Sequence, residues 1–202
     1  MIAALYVQEN GCYSDLPGVD PWPESRDARL YDGPWPVVAH PPCARWTRLG
    51  LSAWVRYGHQ ERMRPGNDGG CFAAALASVR KWGGVLEHPA YSVAWATHGL
   101  RRPSIDGGWR PADLVGGWTC CVWQQHYGHR AAKCTWLYAV GTARPALLWG
   151  VPKDRAEVQC GGTDSRGRRR NLQQTSKRQR NATPPLFRDL LISLAESARR
   201  KP

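Results

Sequence analysis

The stretch GCFAAALASVRKWGGVLEHP, from Gly70 to Pro89, contains the two elements that decide the fold. Its first part is rich in alanine and has apolar residues at helical spacing, and Gly83-Gly84 is a favourable helix end. We therefore expect a helix over residues 70–82. Val85-Leu86 then predicts a short buried strand that runs into Glu87. A helix followed at once by a buried strand is typical of an α/β domain.

A β-branched segment on the amino-terminal side of this helix completes the pattern. Residues 36–40 (PVVAH) predict a strand that stops at Pro41-Pro42. Strand, helix and strand in this order form a βαβ unit, so we expect a parallel sheet centre with Cys43 and Glu87 at the carboxyl ends of strands. Further strands are expected at residues 3–7, 19–22, 118–123 and 135–140, a long loop at 103–117, and a last helix from Pro184-Pro185 to about residue 199.

Length and composition bound the class of protein. The chain has 202 residues, 42% of them apolar, which is enough for one domain with its own core. No run approaches the roughly 18 apolar residues of a membrane span, and residues 1–8 lack the basic flank of a secretory signal. We therefore expect a soluble protein of the cytoplasm.

The charge of the chain points to a polyanion as partner. The net charge is +12, and the segment 166–180 has seven basic residues and no acidic one. Phosphate contacts of basic side chains release counterions and give affinity independent of base sequence. We expect residues 153–180 to form a basic loop that contacts nucleic acid, chiefly through Arg168, Arg169, Arg170 and Arg178. A basic loop that is merely solvated is the alternative.

Two residues at strand ends can carry chemistry. The seven cysteines are an odd number without an export signal, so we expect reduced thiols rather than a disulfide framework. Cys43, on a rigid Pro-Pro turn after a strand, can act as a nucleophile. Glu87 can hydrogen-bond the ring nitrogen or amino group of a heterocycle. A structural cysteine and an ion-paired surface glutamate are the respective alternatives.

Two later segments add basic and helix-starting residues. Tyr127-Gly128-His129-Arg130-Ala131-Ala132-Lys133 precedes a predicted strand, where basic side chains can bind a phosphate or polarise a base carbonyl. Asn181-Ala182-Thr183-Pro184-Pro185 precedes the last helix and, taken alone, is a favourable helix start. A plain basic loop is the alternative for the first segment.

These four segments together resemble the cytosine-5 DNA methyltransferase family in order and spacing. Pro41-Pro42-Cys43 matches the Pro-Pro-Cys nucleophile motif of that family, and Glu87 matches the glutamate of its Glu-Asn-Val motif. Tyr127-Gly128 with Arg130 and Lys133 corresponds to its basic motif. Asn181 with Pro184-Pro185 corresponds to the Gly-Asn-x-Val-Pro-Pro segment before its closing helix. The resemblance implies a reduced Rossmann-like, methyltransferase-type sheet, mostly parallel, with flanking helices.

The chain departs from the family at the cofactor loop. Where the family has Phe-x-Gly-x-Gly-Gly after the first strand, this sequence has Val-Gln-Glu-Asn-Gly-Cys at residues 7–12, and the turn-rich residues 10–18 are too few for a crossover helix. His88-Pro89 stands where the family has Asn-Val. The resemblance implies an S-adenosylmethionine site lined by Asn10, Gly11, Asp20, Pro41 and Asn181.

The resemblance implies that Cys43 adds to C6 of a pyrimidine flipped out of DNA, with Glu87 and Arg130 as its catalytic partners. DNA contacts are expected from Arg45 and Lys133 as well as from the basic loop. The expected layout is a catalytic core at 1–152, the loop or insertion at 153–180, and a carboxyl-terminal helix at 181–202. Compact members of this kind are typical of phages and prophages, with the cytoplasm of the bacterial host as compartment. The alternative from another class is an inactive methyltransferase-like DNA-binding protein, such as a phage accessory or anti-restriction factor.

A cluster of thiols and imidazoles suggests a different site. Residues 120–134 contain Cys120, Cys121, His126, His129 and Cys134. Two thiolates with two imidazoles can bind zinc, although this spacing fits no standard zinc finger. The interpretation without a metal remains our main one.

Overall fold

The computed structural model describes residues 1–154, 156–158, 176, 179 and 181–198. Its strands are β1 (Ile2–Leu5), β2 (Val19–Trp22), β3 (Val37–Ala39), β4 (Gly84–Pro89), β5 (Arg110–Pro111), β6 (Trp118–Trp123) and β7 (Cys134–Val140). Its α-helices are α1 (Arg48–Arg56), α2 (Cys71–Trp82), α3 (Ala94–Thr97) and α4 (Pro185–Glu196). Across these ranges, no helix has both the length and the apolar content needed to cross a membrane.

The seven strands form one mixed sheet in the order β2-β1-β3-β4-β7-β6-β5. β1 pairs in parallel with β2 on one side and with β3 on the other, and β3 pairs in parallel with β4. The pairs β4-β7, β7-β6 and β6-β5 are antiparallel. The α/β sheet with flanking helices is therefore confirmed, but half of its pairs are antiparallel, where the sequence predicts a mostly parallel sheet.

A short connection explains the antiparallel half. Residues 124–133 join β6 to β7, and the backbone N–H of Gln124 donates to the carbonyl of Lys133 at 2.9 Å where the two strands part. Antiparallel neighbours can be joined by such a short segment, whereas parallel neighbours need a crossover of about a dozen residues or more. The β6-β7 pair therefore adds to the edge of β4 as one hairpin.

Helices cover both faces of the sheet. Leu5 and Leu86 belong to the apolar cluster that also contains Phe72 of α2. Val85 lies in the opposite cluster, together with Phe187 of α4. Successive strand residues point to opposite faces, so the adjacent Val85 and Leu86 serve the two cores. The result is a three-layer arrangement with the carboxyl ends of β1, β2, β3 and β4 along one edge.

Helix α2 is fixed at both ends, as its sequence predicts. Asp68 accepts hydrogen bonds from the backbone N–H groups of Gly70 at 2.9 Å and Phe72 at 2.8 Å, which satisfies donors that the helix itself leaves unpaired. After the helix, Gly84 adopts a φ of +117°, and a Cβ atom there would collide with the backbone of Val37. The chain can therefore turn directly from α2 into β4 beside β3.

Some boundaries differ from the sequence expectations. β4 continues through Pro89, so Glu87 lies inside the strand rather than after it. The helices α1 and α3 were not predicted, and the expected loop at 103–117 contains the two-residue strand β5. The segment between β1 and β2 has turns and no helix, which confirms that the first crossover helix is missing.

Candidate active site

The candidate site lies where β3 ends beside the last residues of β4. Their parallel register pairs Ala39 with Leu86, so the next residues, His40 and Glu87, are neighbours at the carboxyl edge of the sheet. His40 Nδ1 lies 3.0 Å from Glu87 Oε2. Pro41-Pro42 carries the chain from His40 to Cys43. The cysteine segment and Glu87 therefore meet at this edge.

Glu87 is a buried carboxylate with two protein donors. Glu87 is only 8% exposed, and its Oε1 accepts a hydrogen bond from Gln124 Nε2 at 3.0 Å. Burial raises the pKa of Glu87, but the positive charge of Lys133 and the hydrogen bond from His40 outweigh it and bring the pKa down to about 2. Glu87 is therefore ionised at neutral pH and acts as a hydrogen-bond acceptor.

His40 connects Glu87 to a buried tyrosine. The hydroxyl of Tyr13 lies 2.8 Å from His40 Nε2, and the two ring centroids are 5.4 Å apart. Tyr13 is 2% exposed, and its burial raises the pKa of the hydroxyl well above its usual value, so it remains a neutral phenol. Because an ionised Glu87 can only accept, Nδ1 of His40 carries a hydrogen. The contacts form one continuous chain from Tyr13 through His40 and Glu87 to Gln124.

The turn that carries Cys43 is anchored to the start of α2. The backbone N–H of Trp46 donates to the Cys43 carbonyl at 3.0 Å, and Trp46 Nε1 donates to the carboxylate of Asp68 at 2.8 Å. Cys43 is half-buried and forms no disulfide. A thiol held on such a fixed turn can attack a planar ligand that binds against Glu87.

His88 points away from the site into the core. It is fully buried, with ring centroids of Phe72 and Trp95 at 5.2 and 6.2 Å. Burial lowers the pKa of His88 to about 4, although Glu87 and the backbone carbonyl of Pro42 act in the opposite direction. His88 is therefore neutral at pH 7. The adjacent side chains of Glu87 and His88 therefore lie on opposite faces of the sheet, and His88 is the one near the backbone carbonyl of Pro42.

The two basic residues matched to the third motif have separate surroundings. Arg130 Nε lies 2.7 Å from Glu157 Oε2, and both side chains are more than half exposed. Lys133, half-buried, is the positive group that acts most strongly on Glu87. The structure therefore places Lys133, rather than Arg130, in electrostatic contact with the buried carboxylate.

The third and fourth motifs meet in space. The rings of Tyr127 and Phe187 are 5.6 Å apart, and a Cβ atom on Gly128 would lie 3.9 Å from the Cβ of Pro184. Arg188 of α4 also donates to the backbone carbonyl of Cys12 at 3.0 Å. Helix α4 thus joins the Tyr-Gly segment to the loop that follows β1.

The residues expected to hold a cofactor line the carboxyl edge of β1, β2 and β3 only in part. Asn10 is exposed with a φ of +51°, and Gly11 makes a tight turn in which a Cβ atom would lie 2.8 Å from the Gln8 carbonyl. Pro41 is buried and Asn181 is exposed.

Asp20 lies in β2, where its carboxylate accepts hydrogen bonds from Trp22 Nε1 at 2.8 Å and Arg26 Nη1 at 2.5 Å. Each oxygen has two lone pairs, so Asp20 can still accept hydrogen bonds from the ribose hydroxyls of an adenosyl group. An acceptor at β2 is the chemistry that this part of the expected cofactor requires.

The expected DNA contacts are only partly within the structure. Arg45 is half-buried, two residues beyond Cys43. Arg168, Arg169, Arg170 and Arg178 lie outside the described residues.

The thiols and imidazoles at 120–134 are divided between different surroundings. Cys121 Sγ lies 3.3 Å from Cys134 Sγ, whereas Cys120 belongs to the opposite apolar cluster, as strand alternation requires. His126 Nε2 contacts the carbonyl of Gly150 at 3.1 Å. Within the described part of the chain, no three His, Cys, Asp or Glu side chains are grouped to hold a metal ion. The five side chains of this segment are therefore not gathered into one group.

Sequence reasoning missed three members of the site. His40 ends a predicted strand and has no role assigned from the sequence, and no motif in the sequence marks Tyr13 or Gln124. The parallel register of β3 and β4, once known, places His40 opposite Glu87. No local pattern marks Tyr13, because it reaches His40 from a loop 27 residues earlier.

Comparison of the chain with protein-family models, with curated proteins and with solved structures finds no match.

Proposed function

We propose that this chain is an enzyme that acts at carbon 5 of a pyrimidine in DNA, in the manner of the cytosine-5 DNA methyltransferases. One observation carries the proposal. β3 ends opposite Leu86 of the parallel strand β4, so His40, which leads to Cys43, lies beside the buried, ionised Glu87 at this side of the sheet. A nucleophile and an acceptor for base edges at one strand edge is the pair that this chemistry requires.

The order of the strands supports a Rossmann-like, methyltransferase-type description of the sheet. The chain passes from β1 to β2 on one side and then returns to β3 on the other side. In open α/β sheets, ligands bind outside the carboxyl ends of strands beside such a reversal. His40, Pro41 and Cys43 follow β3 at that position.

The protein's own groups divide the chemistry. Cys43, as thiolate, forms a bond to C6 of the pyrimidine, and the electron pair of the C5–C6 double bond moves into the ring, which makes C5 nucleophilic. Glu87, with one donor on each oxygen, accepts a further hydrogen bond from the exocyclic amino group of cytosine. S-adenosylmethionine, when bound, supplies an electrophilic methyl group for C5. Asp20, with Asn10, Gly11, Pro41 and Asn181 beside it, is the group proposed to hold the adenosyl part.

DNA is the proposed partner because its phosphates match the charge of the chain, and the base must leave the stack to reach a buried carboxylate. Arg45 lies two residues after Cys43, Lys133 acts on Glu87, and the basic segment 166–180 supplies further charge. We assign Arg130 to the DNA backbone or the base O2, once it leaves its exposed pair with Glu157. A DNA substrate places the proposed activity in the cytoplasm of a bacterium or of a phage-infected host.

A second candidate is a DNA-binding protein without catalysis. It is favoured by the region after β1, where the glycine-rich loop of the family is absent and Tyr13 is packed against His40. Calorimetric titration with S-adenosylmethionine, with and without a mixed-sequence duplex, separates the candidates. Micromolar binding in either condition supports the enzyme, and absence of binding in both favours the second candidate.

Duplex DNA containing 5-fluorocytosine tests the nucleophile directly. After addition to C6 and methylation at C5, the fluorine cannot leave as a cation, so the enzyme remains bound to the base. With S-adenosylmethionine present, we expect a denaturant-resistant complex on gels for the wild type and for the control Cys71→Ser, which changes a half-buried cysteine at the start of α2. Cys43→Ser should form none. A complex that survives in Cys43→Ser would remove Cys43 from its role.

A further inference from the structure

The proposed reaction needs a proton that Glu87 does not carry. When a thiolate adds to C6, negative charge moves to N3 of the pyrimidine, and a proton must meet it there. Glu87 is the buried group assigned to that edge of the base, but its pKa of about 2 leaves it ionised at neutral pH. Another group must therefore hold the proton before the addition.

We propose that His40 holds this proton and delivers it through Glu87 to N3 of the pyrimidine as Cys43 adds to C6. This inference rests on the proposed function and names a positioning residue for it. His40 acts through Glu87, because its Nδ1 lies 3.0 Å from Glu87 Oε2 and its other nitrogen faces Tyr13.

The contacts of His40 accommodate both of its protonation states. As an imidazolium, His40 donates from Nδ1 to Glu87 and from Nε2 to the oxygen of Tyr13, 2.8 Å away. As a neutral imidazole, it keeps the Nδ1 hydrogen, and the Tyr13 hydroxyl rotates to donate to Nε2. A phenol can both donate and accept a hydrogen bond, whereas a backbone N–H can only donate and a carbonyl can only accept. Tyr13 therefore lets His40 gain and lose a proton without leaving a buried atom unpaired.

The carboxylate is held so that it can pass a proton on. Gln124 Nε2 donates to Glu87 Oε1 and also lies 2.9 Å from Thr135 Oγ1, which fixes one side of the carboxylate. Oε2, which faces His40, retains one lone pair beyond the one used by Nδ1. A pyrimidine that binds at either oxygen of Glu87 is therefore separated from the His40 imidazole only by this carboxylate group.

The step balances in atoms and charge. The bond between Cys43 Sγ and C6 forms, the C5–C6 pair becomes a C4–C5 double bond, and the pair of the N3–C4 double bond moves onto N3. N3 takes a proton from Glu87 as Glu87 takes the Nδ1 proton of His40. The thiolate and the imidazolium are thus both neutralised, and Glu87 ends with the charge with which it began. Departure of the cysteine reverses each transfer.

The charged and titratable neighbours favour this distribution of the proton. The positive charge of Lys133 acts to keep Glu87 ionised, so we place the transferable proton on His40, the hydrogen-bond partner of Glu87. Cys12 and, from α4, Arg188 and Asp189 act on Tyr13. The proton supply is therefore a property of the pair His40 and Glu87 within this surrounding, and it predicts that loss of the imidazole slows the reaction.

Exchange of the cytosine C5 hydrogen in D₂O tests this without any methyl donor. Reversible addition of Cys43 makes C5 exchange its hydrogen, which mass spectrometry of the DNA detects. We expect His40→Gln to lower the exchange rate roughly 100-fold at neutral pH and to change the pH profile of the exchange rate. DNA affinity should stay within about twofold, because His40 makes no proposed contact with phosphate. His59→Gln, at an exposed histidine, is the control and should retain the wild-type profile.

A measurement on the wild-type protein keeps the test independent of the variant's folding. The pH at which the NMR signals of His40 change should coincide with the midpoint of the exchange profile. If the two midpoints differ by more than about one pH unit, the proposed proton supply is overturned. The same holds if folded His40→Gln keeps the wild-type pH profile of exchange. Either result leaves the proposed function intact. Absence of both exchange and the 5-fluorocytosine complex in the wild type overturns the proposed function, and this assignment with it.

Discussion

One amide nitrogen of Gln124 lies 3.0 Å from Glu87 Oε1 and 2.9 Å from Thr135 Oγ1, and so ties the buried carboxylate of β4 to β7. Removal of the Gln124 amide leaves the charged Oε1 of Glu87 buried without the hydrogen bond that this amide donates. We expect Gln124→Met to lower the free energy of unfolding by about 1.5–3 kcal/mol, measured by urea denaturation. The neighbouring Gln125, which donates at the surface to the Asp154 carbonyl, provides the control. If Gln125→Met lowers the free energy of unfolding as much as Gln124→Met does, the hydrogen bond to Glu87 does not contribute to stability as we expect.

His88 should make the stability of the protein depend on pH. Its pKa in the folded state is about 4, below the value near 6.5 of an unfolded histidine, so the unfolded chain binds more protons between these values. The stabilisation is complete above pH 6.5 and is lost as the pH falls towards 4. Between pH 7 and pH 5 we expect a loss of about 2 kcal/mol relative to His88→Gln, from denaturation curves at each pH. His59→Gln should keep the wild-type slope, and an equal slope in His88→Gln would contradict the neutral buried imidazole.

Gly84 is required by the close approach of β3 and β4. A Cβ atom there would overlap the backbone of Val37, and the φ of +117° is unfavourable for any other residue. We expect Gly84→Ala to cost more than about 3 kcal/mol in urea denaturation or to prevent folding. Gly99 is the control, because it has a φ of +67° and no atom lies within 4 Å of its Cβ position. A substitution there introduces backbone strain without a steric collision. Gly99→Ala should cost only about 1–2 kcal/mol.

The basic segment should govern the salt dependence of DNA binding. Each phosphate contact contributes about −0.9 to the slope of log affinity against log salt. Replacement of Arg168, Arg169 and Arg170 with Gln should therefore make the slope shallower by about 2–3, measured by fluorescence anisotropy. The control is the double variant of Arg101 and Arg102, an exposed basic pair outside this segment. An unchanged slope in the triple variant would move the phosphate contacts elsewhere.

The strands that sequence patterns predicted are those with strong local signals. Val37, Val38 and Val85 are β-branched and buried, and α2 has alanine periodicity with a glycine end, so these elements lie within a few residues of their expected places. Helix α1 lacks such a signal, since its Leu51 and Val55 are about half exposed. These two apolar side chains of α1 are therefore not part of a face that packs against the core.

The site was predictable only to the level of strand ends. Cys43 and Glu87 follow from turns and buried strands that a local pattern can detect. The direction of β7 and the position of Gln124 depend on which strands pair, and the pairing is a property of the whole sheet. Tyr13 could not be inferred, because a loop without periodicity brings it to His40.

The hydrogen-bonded chain from Tyr13 to Gln124 also constrains how the protein is made. Its four residues come from four separate segments, and the last of them leaves the ribosome well after the segment that contains the cysteine. Until the β6-β7 hairpin docks on the open edge of β4, Glu87 lacks the donor on its Oε1. A nascent chain or an amino-terminal fragment that ends before β6 can display the thiol without the ordered carboxylate. Competence for the proposed chemistry therefore arrives only after β6 and β7 have been synthesised and have docked.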